Sequence, residues 1–253
     1  DASDRIIIRV RGKQNSAIGI IGPNRDENRA FVGFARSFLA LGLRVPRIYR
    51  VDHTERCYLE EDLGDLTLSA WQAQYRHDRS VPDTVITMYK NVLEQLQRFQ
   101  IDAADVLDYS LCYQYDSFGA EAMAFDLRYF RDMFLRPIVT HPWDAESFEA
   151  DCGRLIDMLL KADRSFFLYR DFQSRNVMIR GGEPWFIDFQ SGRRGALHYD
   201  LAAMLYDSKG DLPADARQLL LSHYLDTLEQ RMEVARDRFR YLFEGFAVVS
   251  MLQ

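Results

Sequence analysis

The stretch Tyr169-Arg170-Asp171-Phe172-Gln173-Ser174-Arg175-Asn176, with Asp188 following twelve residues after Asn176, decides how the chain folds. Asn176-Val177-Met178-Ile179-Arg180 reads as one strand and Trp185-Phe186-Ile187 as the next. Gly181-Gly182-Glu183-Pro184 between them reads as the turn. A hairpin returns its two ends to one place. Asn176 and Asp188 are therefore expected side by side at its mouth, close to Asp171. An ordinary surface hairpin would carry solvated acids, whereas here three polar residues in a fixed frame flank a strongly apolar hairpin.

The pattern D-x4-N, a hairpin, then I-D-F resembles the catalytic loop of protein kinases, H-R-D-L-x-x-x-N followed by D-F-G. Tyr169 stands where His is usual, and Gln190 stands where the Gly would be. Phosphoryl transfer needs an oriented acceptor and Mg²⁺ ions to neutralise charge on the phosphate oxygens. Asp171 is the candidate to take a hydroxyl proton. Asn176 and Asp188 offer the hard oxygen ligands that Mg²⁺ prefers.

Composition sets the bounds. With 253 residues, 47% of them hydrophobic, the chain can build one large domain or two lobes sharing a cleft. Net charge is −6 and the isoelectric point is near 5.4, which argues against a nucleic-acid-coating role. Cys57, Cys112 and Cys152 are odd in number, far apart and without metal spacing, so a reducing cytoplasm is the simplest home. No run approaches 18 apolar residues and no signal peptide opens the chain, so no membrane partner is expected. The sequence starts at Asp1 rather than Met, and its last helical pattern still runs at Gln253. Native residues missing at either end, and a further fused domain, are therefore expectations.

Residues 1–59 read as a small lobe of antiparallel strands and one helix. Ile6 to Val10 and Ala17 to Ile21 are strands around a turn at residues 11–16. Ala17-Ile18-Gly19 resembles the A-I-K of the kinase strand, with Gly19 where Lys belongs. Ser3 and Asp4 are candidates for the end of a phosphate-covering loop. Arg5, Arg9 and Lys13 are candidates to replace the missing charge, with a solvated strand position as the ordinary alternative for each. Asp26 to Gly42 is a helix with Ala30, Phe31, Phe34, Ala35, Phe38 and Leu41 on one face. Glu27 in its first turn is expected mainly to favour the helix N-terminus.

Residues 60–65 are the expected hinge, where the backbone of Glu60, Glu61 and Asp62 would meet an adenine edge. Residues 66–253 form a mostly helical lobe. Helical spacing predicts helices over 82–100, 120–138, 144–161, 213–232 and 236–253. Asp126, Arg128, Tyr129 and Arg131 are candidates to line an acceptor pocket. Ser191 to Asp200 reads as a turned loop near the metal centre, with Arg193 and Arg194 as anion contacts alongside Arg175. Asp200 either caps the next helix or turns inward to hold the catalytic-loop backbone. His198 is assigned no chemistry.

Together these residues resemble the aminoglycoside phosphotransferase and choline kinase superfamily over nearly the whole chain. Y-R-D-F-Q-S-R-N-V-M-I, F-I-D-F-Q, A-I-G-I-I-G and Y-L-E-E-D-L-G are similar to its subgroup of bacterial cell-wall amino-sugar kinases, which lacks the standard strand Lys. The resemblance implies an α+β, two-lobed protein-kinase-like fold and an ATP- and Mg²⁺-dependent transfer to a small-molecule hydroxyl. It also implies that Asp171 is the base, Asn176 and Asp188 the metal ligands and the backbone of residues 60–62 the adenine contact; Arg175 beside Asp171, and Ser3, Asp4 and Arg9 for the nucleotide, stand as candidates from the residues themselves. Asp126, Tyr129 and Arg193 are then the acceptor candidates, with Tyr169 and Asp200 structural. Two rivals stand beside a sugar or amino-sugar acceptor. One is an aminoglycoside kinase, disfavoured by Arg193 and Arg194. The other is a nucleotide-binding pseudokinase or scaffold, favoured by the missing Lys and opposed by Asp171, Asn176 and Asp188.

Overall fold

The computed structural model describes residues 4–75, 80–141 and 143–252. It opens with a four-stranded antiparallel sheet in the order β1-β2-β4-β3. Its strands are β1 (Ile6–Arg11), β2 (Ser16–Ile21), β3 (Ile48–Val51) and β4 (Cys57–Glu61). Helix α1 (Arg25–Ala40) lies between β2 and β3 in sequence. Asn24 starts it, its side chain accepting from the backbone N–H groups of Asp26 and Glu27. Its apolar stripe, with Ala30, Phe34, Ala35 and Phe38 fully buried, faces inward.

The remainder is mostly helical. It runs through α2 (Leu68–Ala73), α3 (Asp83–Gln97), α4 (Ala120–Phe130), α5 (Arg136–Ile138) and α6 (Ala145–Leu159). Further along the chain come α7 (Leu197–Leu205), α8 (Ala214–Leu228) and α9 (Arg236–Met251). α3, α6, α8 and α9 match the helical periodicities to within a few residues, and the helix expected over 120–138 is α4 and α5 with a π-helical stretch, Arg131–Leu135, between them. Among the described residues, no helix is long and apolar enough to cross a membrane.

The segment between α6 and α7 contains two small sheets. β6 (Val177–Arg180) pairs with β7 (Glu183–Phe186), and β5 (Phe166–Leu168) pairs with β8 (Arg193–Gly195). Two details differ from the sequence reading. The hairpin turn is only Gly181-Gly182, at φ of 61° and 81°, with Glu183 and Pro184 already in β7. Two consecutive left-handed residues suit the twist of a tight hairpin, and glycine adopts them without strain. The stretch after Ser191 is a strand rather than a loop. β5 is only three residues long, too short for a periodic signal. A Cβ on Gly195 would sit 2.4 Å from the Leu168 side chain, so glycine permits the close β5–β8 approach.

An aromatic cluster joins the sheet side to the helical side. Phe31 of α1 stacks on Phe189 at 4.5 Å and 3°, and on Tyr58 of β4 at 5.3 Å. Phe38 meets Phe99, Phe167 and Phe189 edge-on at 4.8, 5.4 and 5.1 Å. Tyr169 packs edge-on against Phe99, Phe172 and Phe189. Phe189 is fully buried at the centre of this cluster.

Phe189→Ala is expected to lower stability by about 3–5 kcal/mol, by lost transfer energy plus an unfilled cavity. Urea denaturation measures this, and a loss below about 1 kcal/mol, the scale of a surface change, would contradict the packing role.

Candidate active site

The loop that carries Asp171 is held from beneath. Asp200, fully buried in the first turn of α7, accepts the backbone N–H groups of Tyr169 at 2.7 Å and Arg170 at 2.9 Å. It turns inward rather than capping, because the helix already begins at Leu197. Burial pushes its carboxyl up to about 7, against the pull of those two hydrogen bonds. The Tyr169 hydroxyl donates to the Ile187 carbonyl at 2.7 Å, tying the loop to the far strand of the hairpin. Asp207 accepts both the backbone N–H (2.8 Å) and the hydroxyl of Ser174. Arg170 adopts a left-handed φ of 82°. It is fixed by a two-pronged pair with Asp126 at 2.7 and 2.8 Å, between the rings of Phe118 and Tyr199.

The hairpin mouth brings the expected polar residues together. Asn176 donates its amide hydrogens to the Asp171 carbonyl at 2.9 Å and to Asp188 Oδ2 at 3.2 Å. Ile187 N–H donates to the Asn176 carbonyl at 3.1 Å, closing the mouth. Asp188 also sits at a left-handed φ of 69°, and its Oδ1 accepts from Gln190 at 2.9 Å and Arg5 at 2.8 Å. With the Asn176 amide donors engaged, its carbonyl oxygen and the Asp188 carboxylate form a hard, oxygen-only donor set. Among the described residues, no three His, Cys, Asp or Glu side chains gather as a metal cage. One carboxylate and one carboxamide suit Mg²⁺, which completes its shell with waters and phosphate oxygens.

Two hollows meet at Asp171. A cleft of about 790 Å³ lies between the sheet and the hairpin, lined among others by Asp4, Arg5, Glu27, Glu60, Asn176 and Asp188. A hollow of about 320 Å³ on the other side is lined by Tyr115, Phe125, Asp126, Tyr129, Arg170 and Arg193. Asp171 and Ser191 line both. Burial raises the Asp171 carboxyl to about 6; the negative charge of Asp188 adds to this, and Arg170 opposes it.

Other expected residues are distributed less simply. Ser3 lies outside the described residues. Asp4 lines the cleft, and Arg175 lies exposed on its wall. Arg9 does not reach the cleft. It pairs with Asp62 at 2.8 Å and Asp65 at 2.7 Å, tying β1 to the connector after β4. The Asp62 side chain is spent on that tie. Glu61 gives its N–H to the Arg47 carbonyl at 2.9 Å, and its carboxylate accepts from Arg180 at 2.6 Å. Glu60 lines the cleft with its side chain. Strand alternation turns it inward with Tyr58, and burial pushes its carboxyl up to about 8.

In the smaller hollow, Tyr129 is half exposed and Arg193 is buried, donating to Ser191 O at 3.0 Å and Gln114 at 3.2 Å. Asp126 lines the hollow too, but both its oxygens are held by Arg170. Glu27 lies in the first turn of α1 as expected and also forms an ion pair with Arg5 at 3.3 Å. Gly19 does not take the place that the A-I-K resemblance gives to the lysine. Its Cβ direction faces Ile8 and Leu59, on the sheet face away from the cleft, so a lysine there would point outward.

Comparison with known proteins identifies the family and the fold. The model of the phosphotransferase enzyme family matches residues 21–236. The N-acetylmuramate/N-acetylglucosamine kinase of Pseudomonas aeruginosa is 26% identical over 229 residues, 88% of this chain. The chain spans 63% of the length of that relative. Among solved structures, ethanolamine kinase from Plasmodium vivax matches with a TM-score of 0.65 at 13% identity, covering 98% of this chain and 74% of that one. Aminoglycoside-3'-phosphotransferase of type VIII matches at 0.59 and 17% identity, covering 97% and 90%. These two establish the two-lobed, protein-kinase-like fold. With the matched region running from β2 into α9 and enclosing the whole hairpin site, the chain belongs to the phosphotransferase enzyme family.

Proposed function

We propose that this chain moves the γ-phosphate of ATP to a hydroxyl of a small polar molecule, a sugar or amino sugar, in the cytoplasm. The observation that carries this reading is Asp171, shared by a large polar cleft and a smaller aromatic-lined hollow. The cleft suits a nucleotide and the hollow suits an acceptor. Asp171 between them accepts the acceptor's hydroxyl proton and aims its oxygen. Asn176 and Asp188 would hold Mg²⁺, which when bound neutralises charge on the phosphate oxygens. The protein's own contribution is positioning and fixed charge.

The hollow supports the choice of acceptor. Its volume is at the small end of the usual range for small-molecule sites. Tyr115, Phe125 and Tyr129 offer faces for a sugar ring. Arg193 adds positive charge while Asp126 is neutralised by Arg170. A polycationic aminoglycoside finds no unpaired acid in Asp126, whereas a neutral or anionic sugar is accommodated. The amino-sugar kinase of Pseudomonas aeruginosa, as a relative, supports the same class.

Incubating the chain with Mg²⁺-ATP and N-acetylglucosamine, N-acetylmuramate, choline or kanamycin, with mass-spectrometric readout, tests this. Phosphorylated amino sugar is expected; phosphorylation of kanamycin or choline alone would overturn the acceptor reading. Asp171→Asn is expected to lower kcat by about 10²–10⁴-fold, the usual contribution of a positioned base, with ADP affinity retained. Unchanged turnover would remove Asp171 from that role.

A base must be ionised to work, and this carboxyl is raised to about 6. The kcat/KM of the parent is therefore expected to fall as pH drops through about 6. A flat profile between pH 5 and pH 7, roughly one unit either side, would contradict an ionised Asp171 in the rate-limiting step.

A further inference from the structure

In protein kinases a lysine on a sheet strand is held by a glutamate of the adjacent helix and meets the nucleotide phosphates. This chain has no lysine where the pattern asks for one. Gly19 faces away from the cleft, and Ile20, which does line the cleft, is apolar. We propose that Arg5, entering from the start of the neighbouring strand β1, has taken over this task. It is held by Glu27 and binds the α- and β-phosphates. This rests on the phosphotransfer reading above.

Three observations support the assignment. Arg5 lines the nucleotide-sized cleft, and its side chain is only 13% exposed. Its Nε pairs with Glu27 Oε1 at 3.3 Å, and Glu27 lies in the first turn of α1, the helix adjacent to the strands. Its Nη2 meets Asp188 Oδ1 at 2.8 Å, so the guanidinium spans from the helix glutamate to the metal-ligand aspartate. The A-I-K pattern alone does not single out Arg5, because the cation enters from a different strand.

The chemistry is suited to phosphate. A guanidinium presents a planar fork of donors that matches phosphate oxygens and stays charged when buried. Buried acids crowd this wall of the cleft, with Glu27, Glu60 and Asp188 all acting on or beside Arg5. When Asp188 serves as a metal ligand, the Nη2 donor that now satisfies it becomes available to a phosphate oxygen. Glu27 keeps the guanidinium in place during that exchange. A merely structural Arg5 would instead balance the acids and show no preference for phosphate.

The two roles separate by titrating the parent chain and variants with Mg²⁺-ATP and, in parallel, with adenosine. Arg5→Met is expected to weaken Mg²⁺-ATP roughly tenfold to a hundredfold, the worth of a charge-assisted contact, with adenosine affinity unchanged. Arg5→Lys is expected to restore most of the loss. Equal loss for both ligands, or no loss for either, overturns the assignment. If Arg5→Met does not melt cooperatively, Glu27→Gln carries the test, since it loosens the anchor while keeping the shape. Selective weakening of Mg²⁺-ATP supports the assignment, and equal affinities to the parent overturn it. A parent chain that binds adenosine as tightly as Mg²⁺-ATP would overturn the phosphotransfer reading itself, a different failure from a parent that discriminates beside an unaffected Arg5→Met.

Discussion

The stacking of Phe31 on Phe189 is the contact on which the rest of the site depends. Phe31 belongs to the helix beside the sheet, and Phe189 directly follows Asp188. Two parallel rings at 4.5 Å therefore set the position of a carboxylate by one peptide unit. Phe38 and Tyr169 close on the same ring from the other sides, so Phe189 has little room to move. Close packing of this kind transmits position. A helix that shifts against the hairpin must carry Asp188 with it. The same cluster explains why a small sheet and a helical body share a cleft of definite width.

This packing also sustains backbone conformations that are unfavourable alone. Arg170 and Asp188 both lie in the left-handed region, which costs a non-glycine residue of order 1–3 kcal/mol. Each is over-determined by its neighbours. Arg170 is held by Asp200 through its N–H and by Asp126 through its guanidinium. Asp188 is bracketed by Phe189, by the Asn176 amide, and by Arg5 and Gln190. The strain falls on the residues flanking the hairpin mouth, so these side chains are aimed by geometry that a relaxed strand would not give.

Much of this was legible in the sequence, for reasons of range. Asn176, Asp188 and the hairpin between them form one local unit, so spacing and turn residues predict their convergence. The long helices are legible because each carries several turns of apolar repeat. What was missed depends on partners far apart in the chain. Arg5 is one of three candidate cations in the sequence, and the contact that singles it out, to Asp188, spans 183 residues. Glu60 sits in an acidic connector whose composition suggests exposure; only the strand register turns it inward. Asp207, which holds Ser174, follows α7 with no motif of its own. The pairing of β5 with β8 joins two three-residue strands, and their register emerges only in three dimensions.

The Arg170–Asp126 pair links loop geometry to acceptor choice. A buried ion pair is weak evidence for stability, because removing two charges from water offsets much of their attraction. Its effect here is positional. It holds Arg170 between Phe118 and Tyr199 and so sets the backbone one residue before Asp171. It also removes the negative charge that Asp126 would otherwise present to the hollow. Arg193, kept at the same wall by Ser191 and Gln114, then stands opposite Asp171 as the positive charge of the hollow. Burial and the nearby Arg170 hold the Arg193 pKa below its ordinary value, so an anionic or polar partner would be favoured there over water. The residue that orients the loop carrying Asp171 thus also neutralises the acid on the wall of the hollow, which is in keeping with the proposed sugar acceptor.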